Sequence, residues 1–227
     1  MVDANAFIHT LSKRLQSAFS SRLLFVGLQG SYAWGNETAQ SDIDGVVILD
    51  TISPGDIQTY RAILSTLPHG ELACGFFAEK AVLLAWPRQE LFSFYMDTQP
   101  IYGSLATLLP SLTQADVVAG IRTAAAGLYH DTMHHMLYDA APDFSMVQGL
   151  YKRTFYLLQL VAYHNTGAYY HNKAMLLSHL TGTEKEILYT HLAFASPHAP
   201  SKESLLPCLT ALLSWCRSIL CSLVANV

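Results

Sequence analysis

The sequence is poor in charge. Only 13% of its 227 residues are charged, and the formal net charge is −4. A chain with this balance does not bind nucleic acid by bulk electrostatics, so we do not expect a nucleic-acid partner. Disorder is excluded as well, because 51% of the residues are hydrophobic. The length suits one large domain or two small ones, each with a buried core.

Long apolar runs and paired cysteines are also missing. The most apolar stretch, residues 205–227, is interrupted by Pro207 and Arg217 and falls short of the ~20 apolar residues that cross a bilayer. The N-terminus shows no basic start leading into an apolar run, which argues against a signal peptide. The four cysteines form no Cys-x-x-Cys pair and no disulfide spacing. We therefore expect a soluble, cytoplasmic protein without a membrane partner.

One segment carries residues that indicate chemistry. A strand predicted over residues 23–28 leads to Gly30-Ser31, and a second strand begins ten residues later with Asp42-Ile43-Asp44. Side chains alternate along a strand, so both aspartates are expected on one face. Two carboxylates this close repel each other, which favours a divalent cation between them. Backbone N–H groups at Gly30-Ser31 suit a phosphate. The segment therefore predicts a site for metal and phosphate.

This pattern resembles the nucleotidyltransferase superfamily typified by DNA polymerase beta, especially its minimal and kanamycin-nucleotidyltransferase-like members. The residues that match are Gly30, Ser31, Asp42 and Asp44, within the forms Gly-Ser-x-Ala-x-Gly and Ser-Asp-x-Asp. The resemblance implies a Mg²⁺-dependent enzyme that moves a nucleoside monophosphate from a nucleoside triphosphate to an acceptor hydroxyl, releasing pyrophosphate. Asp42 and Asp44 would hold one or two Mg²⁺ ions, and Gly30 and Ser31 would bind the phosphates. Whether the acceptor is a small molecule or a protein stays open.

Two further site residues follow from the resemblance. The family uses a third carboxylate on a neighbouring strand, and Glu71, opening a strand predicted over residues 71–77, is better placed than Asp50 or Asp97. An exposed residue at a strand end explains Glu71 equally well. Lys152 lies where related enzymes direct a basic residue at the triphosphate; a solvated basic patch is the competing interpretation.

The order of predicted elements indicates an α+β protein. Strands and helices alternate through residue 106, as in a small mixed-sheet nucleotidyltransferase domain, and residues 107–227 read as an all-helical bundle domain. A strand is expected at 81–84, and Thr183 with Glu186 predicts a capping-box start for one helix. The last helix has an apolar stripe that needs a helical partner, either within the bundle or in a homodimer.

The sequence also admits other functions. The main rival is a catalytically weak or inactive nucleotide-binding regulatory module, for example one half of a toxin–antitoxin-type pair. His130 and His134 have the i,i+4 spacing of a metal site but lack a third ligand in the sequence. Gly30-Ser31 lacks the Gly-x-Ser-x-Gly elbow of serine hydrolases.

Overall fold

The chain folds as two compact units, Met1–Leu112 and Thr113–Val227. The computed structural model describes residues 2–38, 40–196 and 199–225. The first unit extends beyond residue 106, where the sequence placed the boundary. Leu105 and Leu109 are buried in its core, and Leu108 and Leu112 pack against the same cluster. The predicted fold class, an α+β unit followed by a helical unit, is confirmed.

The first unit is built on a four-stranded mixed sheet in the order β3-β2-β1-β4. Its elements are α1 (Ala4–Phe19), β1 (Leu23–Gln29), α2 (Gly30–Trp34), β2 (Ile43–Leu49), α3 (Pro54–Ser65), β3 (Ala73–Glu79), α4 (Lys80–Leu84), α5 (Arg88–Asp97), β4 (Gln99–Tyr102) and α6 (Leu105–Leu108). Strand β1 is antiparallel to β2 and β4, and β2 is parallel to β3. The strand predicted at 81–84 was wrong, because this segment forms α4. A short apolar run does not distinguish the two structures by itself.

The two faces of the sheet bury different cores. Val47 and Leu49 of β2 belong to one cluster with the apolar stripe of α1. Val46 and Ile48 belong to a second cluster, which also contains Phe94 of α5. Because side chains alternate along β2, Asp44 lies on the same face as Val46 and Ile48. The second core therefore supports the acidic end of the strand.

A carboxylate network fixes the start of α3. Asp56 accepts hydrogen bonds from the Ser53 backbone N–H at 2.8 Å and from the Ser53 hydroxyl at 2.8 Å, which completes a capping box. Both terminal nitrogens of Arg22, at the end of the turn before β1, also donate to this carboxylate. These hydrogen bonds, that of Arg22 first, lower the pKa of Asp56 far below its ordinary value.

The second unit consists of helices. They are α7 (Gln114–Tyr138), α8 (Phe144–Thr166), α9 (Lys173–His179), α10 (Gly182–Ala193) and α11 (Leu205–Ala225). The capping box predicted at Thr183 and Glu186 was wrong, since Thr181 is the N-cap of α10 and its side chain makes no capping hydrogen bond.

One helical stretch, Lys202–Leu223, is long and apolar enough to cross a membrane by length and composition. Its buried residues Leu205, Leu209, Leu212 and Cys216 form one stripe, at the spacing of a helix that packs on one side. Arg217 is exposed. A core helix of a soluble protein passes the same test, so the stretch is weak evidence for a span. The soluble, cytoplasmic location stays a prediction.

Candidate active site

The turn between β1 and α2 brings the glycine–serine segment against the acidic strand. Gly30 has a φ of +67°, a left-handed conformation that glycine adopts at no steric cost. A Cβ atom at this position would overlap the Asp44 carboxylate. The backbone of Gly30 and this carboxylate are therefore immediate neighbours, and Ser31 follows in α2. Gly30 and Asp44 are 14 positions apart in the sequence, and the pairing of β1 with β2 brings them together.

The two aspartates form an uncompensated acidic pair. In the antiparallel register Asp44 lies opposite Gln29, the last residue of β1, while Asp42 is exposed just before β2. Burial, and then the charge of Asp42, raise the pKa of Asp44 above its ordinary value. Within the described residues, neither carboxylate has a hydrogen-bond or ion-pair partner. Two adjacent negative charges without a counter-ion favour a bound cation.

Side-chain hydrogen bonds hold the turn in place. The Gln29 amide donates to the Thr98 hydroxyl at 2.6 Å, and the Trp34 indole donates to the Asp97 carbonyl at 3.2 Å. The Gln99 amide donates to the Ala33 carbonyl at 2.5 Å. The residue before α2 and the last two residues of α2 are thus hydrogen-bonded to residues 97–99, where α5 ends and β4 begins. A site whose backbone is fixed in this way is preorganised for a ligand.

The expected third carboxylate is not brought to the pair by β3. The register places Cys74 opposite Asp44 and Ala73 opposite Ile43, and the strand reaches an acid at Glu79, opposite Leu49 at its far end.

Glu71 lies before β3, in a one-turn 3-10 helix, with its side chain 73% exposed. The ring of His69 approaches its carboxylate to 3.9 Å. Asp50 follows β2 at the end away from the acidic pair, and Asp97 ends α5. Among the described residues, no group of three His, Cys, Asp or Glu side chains could hold a metal ion. The described residues therefore show no complete three-carboxylate group, and Glu71, two residues before β3 at the end of the sheet that carries the acidic pair, stays a prediction as the third acid.

Lys152 lies on α8 in the helical unit. Its basic neighbour there is Lys173, which the sequence analysis did not identify as a site residue. The charge of Lys152 contributes to lowering the pKa of Lys173, although burial is the larger cause. The ammonium nitrogen of Lys173 lies 5.4 Å from the centroid of the Phe155 ring. Burial first, and then Lys173 and Lys152, lower the pKa of His191 to about 4. These basic residues are far apart in sequence, so spacing could not have revealed their proximity.

The histidine pair that the sequence spacing suggested lies on α7. The rings of His130 and His134 lie 6.4 Å apart, centroid to centroid. The next histidine, His135, instead bonds the Asp139 carboxylate at 2.7 Å. No third ligand joins the pair among the described residues.

Comparison with known proteins identifies the fold. No protein-family model and no curated protein sequence matches the chain. Among solved structures, the chain is similar to the spectinomycin adenyltransferase AAD(9) from Enterococcus faecialis, crystallised with ATP and spectinomycin. The TM-score is 0.53 and the sequence identity 14%, and the match covers 94% of this chain and 99% of that one. At this identity the likeness shows the fold, which agrees with the nucleotidyltransferase fold expected from Gly30, Ser31, Asp42 and Asp44.

Proposed function

We propose that this chain is a nucleotidyltransferase that moves a nucleoside monophosphate from a nucleoside triphosphate to an acceptor hydroxyl. The observation that carries the proposal is the contact between the Gly30 turn and the Asp44 carboxylate, beside Asp42. An exposed glycine at the start of α2, next to two uncompensated carboxylates, suits a phosphate chain together with a cation. The chain has this arrangement on the fold of an enzyme that was crystallised with ATP.

Asp42 and Asp44 fit the requirements of Mg²⁺. This ion is commonly held by one or two carboxylates and completes its shell with water and substrate phosphates, so a third protein ligand is not required for binding. Mg²⁺ bound there would offset the negative charge that develops on the phosphates during transfer. The pKa of Asp44 is raised, which means that its ionised form is disfavoured without a cation. A bound Mg²⁺ would stabilise that ionised form.

The reaction that we propose exchanges one bond to phosphorus for another. The acceptor oxygen forms a bond to the α-phosphorus while the bond from that phosphorus to the bridging oxygen breaks, and the electron pair leaves with pyrophosphate. The absent side chain at Gly30 lets the phosphates approach the backbone closely. Ser31 would donate its hydroxyl hydrogen to a phosphate oxygen. Glu71 stays a prediction as the group that takes up the acceptor proton.

ATP and a small hydroxylated acceptor are the first substrates to test. The structurally similar adenyltransferase was crystallised with ATP and spectinomycin, which motivates both choices. Purified protein is incubated with Mg²⁺, α-labelled ATP, GTP, CTP or UTP, and spectinomycin or other hydroxylated acceptors. We expect label transfer from at least one triphosphate.

Variants of the acidic pair test the assignment of residues. Asp42→Asn and Asp44→Asn should each lower transfer more than about 100-fold, because each removes a charge worth several kcal/mol in the transition state. Asp50→Asn is the matched control, since Asp50 follows the opposite end of β2 and is exposed. Equal activity in Asp44→Asn and Asp50→Asn would refute the assignment.

The regulatory-module hypothesis keeps one observation in its favour. The residues of β3 beside the acidic pair are Ala73, Cys74 and Gly75, none of which is a carboxylic acid. A module of this kind would bind Mg²⁺ and triphosphate, seen as a rise in melting temperature, without transferring label to any acceptor.

The role of Glu71 is tested separately. If label transfer is found and Glu71→Gln leaves its rate unchanged, Glu71 is not the proton acceptor.

Lys152 stays a proposed nucleotide ligand, and Lys173 joins it. Two ammonium groups whose charges affect each other have an unfavourable repulsion that a phosphate would relieve. Lys152→Gln should weaken ATP binding, with the exposed Lys202→Gln as control. Equal affinity in the two variants would remove Lys152 from the site.

A further inference from the structure

The helical unit contains a polar cavity of about 650 Å³. Every residue that lines it belongs to the helical unit, from α7, α8, α11 and the start of α10. Its polar lining includes Asn165, Thr183, Glu184, Trp215 and Ser218. The volume lies within the range of small-molecule sites in proteins.

Glu184 supplies a negative charge without a counter-ion. It stands three residues after Thr181, the N-cap of α10, where a glutamate commonly bonds back to the capping residue. That capping box is not formed here. Burial raises the pKa of Glu184, and within the described parts of the chain no cation pairs with it. The other ionisable residue in the lining, His164, is hydrogen-bonded through Nδ1 to Gln114 at 2.6 Å. A half-buried carboxylate of this kind is stabilised by a bound cation.

Trp215 supplies a hydrogen-bond donor that needs an acceptor. Its side chain lines the cavity although the residue is only 2% exposed. The indole Nε1 is buried and has no hydrogen-bond partner among the described residues. A buried donor left unpaired costs free energy, so an acceptor oxygen in the cavity would be stabilising. The apolar side chains of Ile121, Val161 and Ile219 complete the lining and suit a hydrocarbon segment.

We propose that this cavity is a binding site for a small amino alcohol. Its ammonium group pairs with the Glu184 carboxylate, and its hydroxyl oxygen accepts the hydrogen bond of the Trp215 indole. The residues that line the site all belong to the helical unit.

Three compounds of equal chain length test both contacts by calorimetric titration of the full chain. They are 6-aminohexan-1-ol, hexane-1,6-diol, which lacks the ammonium group, and hexylamine, which lacks the acceptor oxygen. The amino alcohol should bind the wild type at least about tenfold more tightly than either analogue, as expected for one charge-assisted contact and one buried hydrogen bond. Absence of binding at millimolar amino alcohol, or equal affinity for the diol, would overturn the proposal.

Two variants assign the contacts to residues. Glu184→Gln should abolish the preference for the amino alcohol over the diol, whereas Glu186→Gln, on the same helix, exposed and outside the lining, should retain it. Trp215→Phe should abolish the preference over hexylamine. If Trp215→Phe does not fold, the Glu184 comparison decides the outcome. An unchanged preference in Glu184→Gln would overturn the proposal.

Discussion

Gly30 and Gly35 offer a matched test of the candidate active site. Gly30 is the first residue of the short helix α2 and Gly35 follows its last residue; both have a left-handed conformation, with φ angles of +67° and +68°. A Cβ atom at Gly30 would overlap the Asp44 carboxylate, whereas a Cβ atom at Gly35 would meet no atom within 4 Å. Substitution by alanine therefore imposes the same backbone strain at both positions and displaces the carboxylate at one of them.

The expected loss of stability is similar for the two variants. A left-handed conformation costs a non-glycine residue about 1–2 kcal/mol. For a unit of this size, that cost lowers the melting temperature by roughly 5–10 °C. The overlap at Gly30 involves the Asp44 side chain and no backbone atom, so it adds little to this value if that side chain rotates away.

The expected loss of function differs between the variants. Gly30→Ala moves a carboxylate that we assign to Mg²⁺, so Mg²⁺-dependent ATP binding should weaken more than about tenfold. Gly35→Ala should bind with the wild-type affinity. Calorimetric titration with MgATP, well below both melting temperatures, measures the difference. Equal affinity in the two variants would refute the placement of the phosphate site at the Gly30 turn.

Three predictions follow from the pKa shifts. Asp44→Asn should raise the melting temperature of the ligand-free protein at neutral pH, because the raised pKa of Asp44 means that its ionised form is disfavoured in the folded state. The difference should vanish in acid, where Asp44 is protonated. Asp56→Asn should lower the melting temperature at neutral pH, because the network with Arg22 and Ser53 depresses the pKa of Asp56 and stabilises the folded state above the ordinary carboxyl pKa. Wild-type stability should fall as acid protonates Asp56, and the variant should show a flatter acid limb. His191 should titrate near pH 4 in an NMR experiment, below its ordinary value of 6.5, so its contribution to stability is lost as the pH falls through this interval.

Each of these predictions has a result that contradicts it. Destabilisation of the ligand-free protein by Asp44→Asn would mean that the carboxylate has a stabilising partner. Parallel acid limbs for Asp56→Asn and the wild type would show that the Arg22 network does not depress the pKa. An ordinary pKa for His191 would show that the ring is hydrated and remote from the ammonium groups.

Local sequence was sufficient for much of the first unit. Apolar runs predict a strand over residues 23–28 and a second strand that begins at Asp42 and extends to Leu49, and the structure confirms both as β1 and β2. The same reasoning failed at residues 81–84, where an apolar run of four residues suits either a strand or a helix. The helix over these residues is decided by packing, since Leu83 is fully buried in the second core.

The domain boundary also required the tertiary structure. Residues 105–112 follow the last strand and lie before the long helix α7, so composition does not assign them to either unit. Leu105 and Leu109 pack with Phe94 of α5, and this contact joins the segment to the first unit.

The sequence by itself determined that a glycine–serine turn and two aspartates adjoin consecutive strands, because apolar runs and the period of two are local properties. Only the tertiary structure decided what stands beside them. The parallel register of β2 and β3 places Cys74 opposite Asp44 and leaves Glu71 exposed in the preceding turn. Register depends on pairing between segments about thirty residues apart, and no local pattern encodes it. The proximity of Lys152 to Lys173, and of Glu184 to Trp215 around one cavity, has the same cause, because helix packing brings together residues that the chain keeps apart.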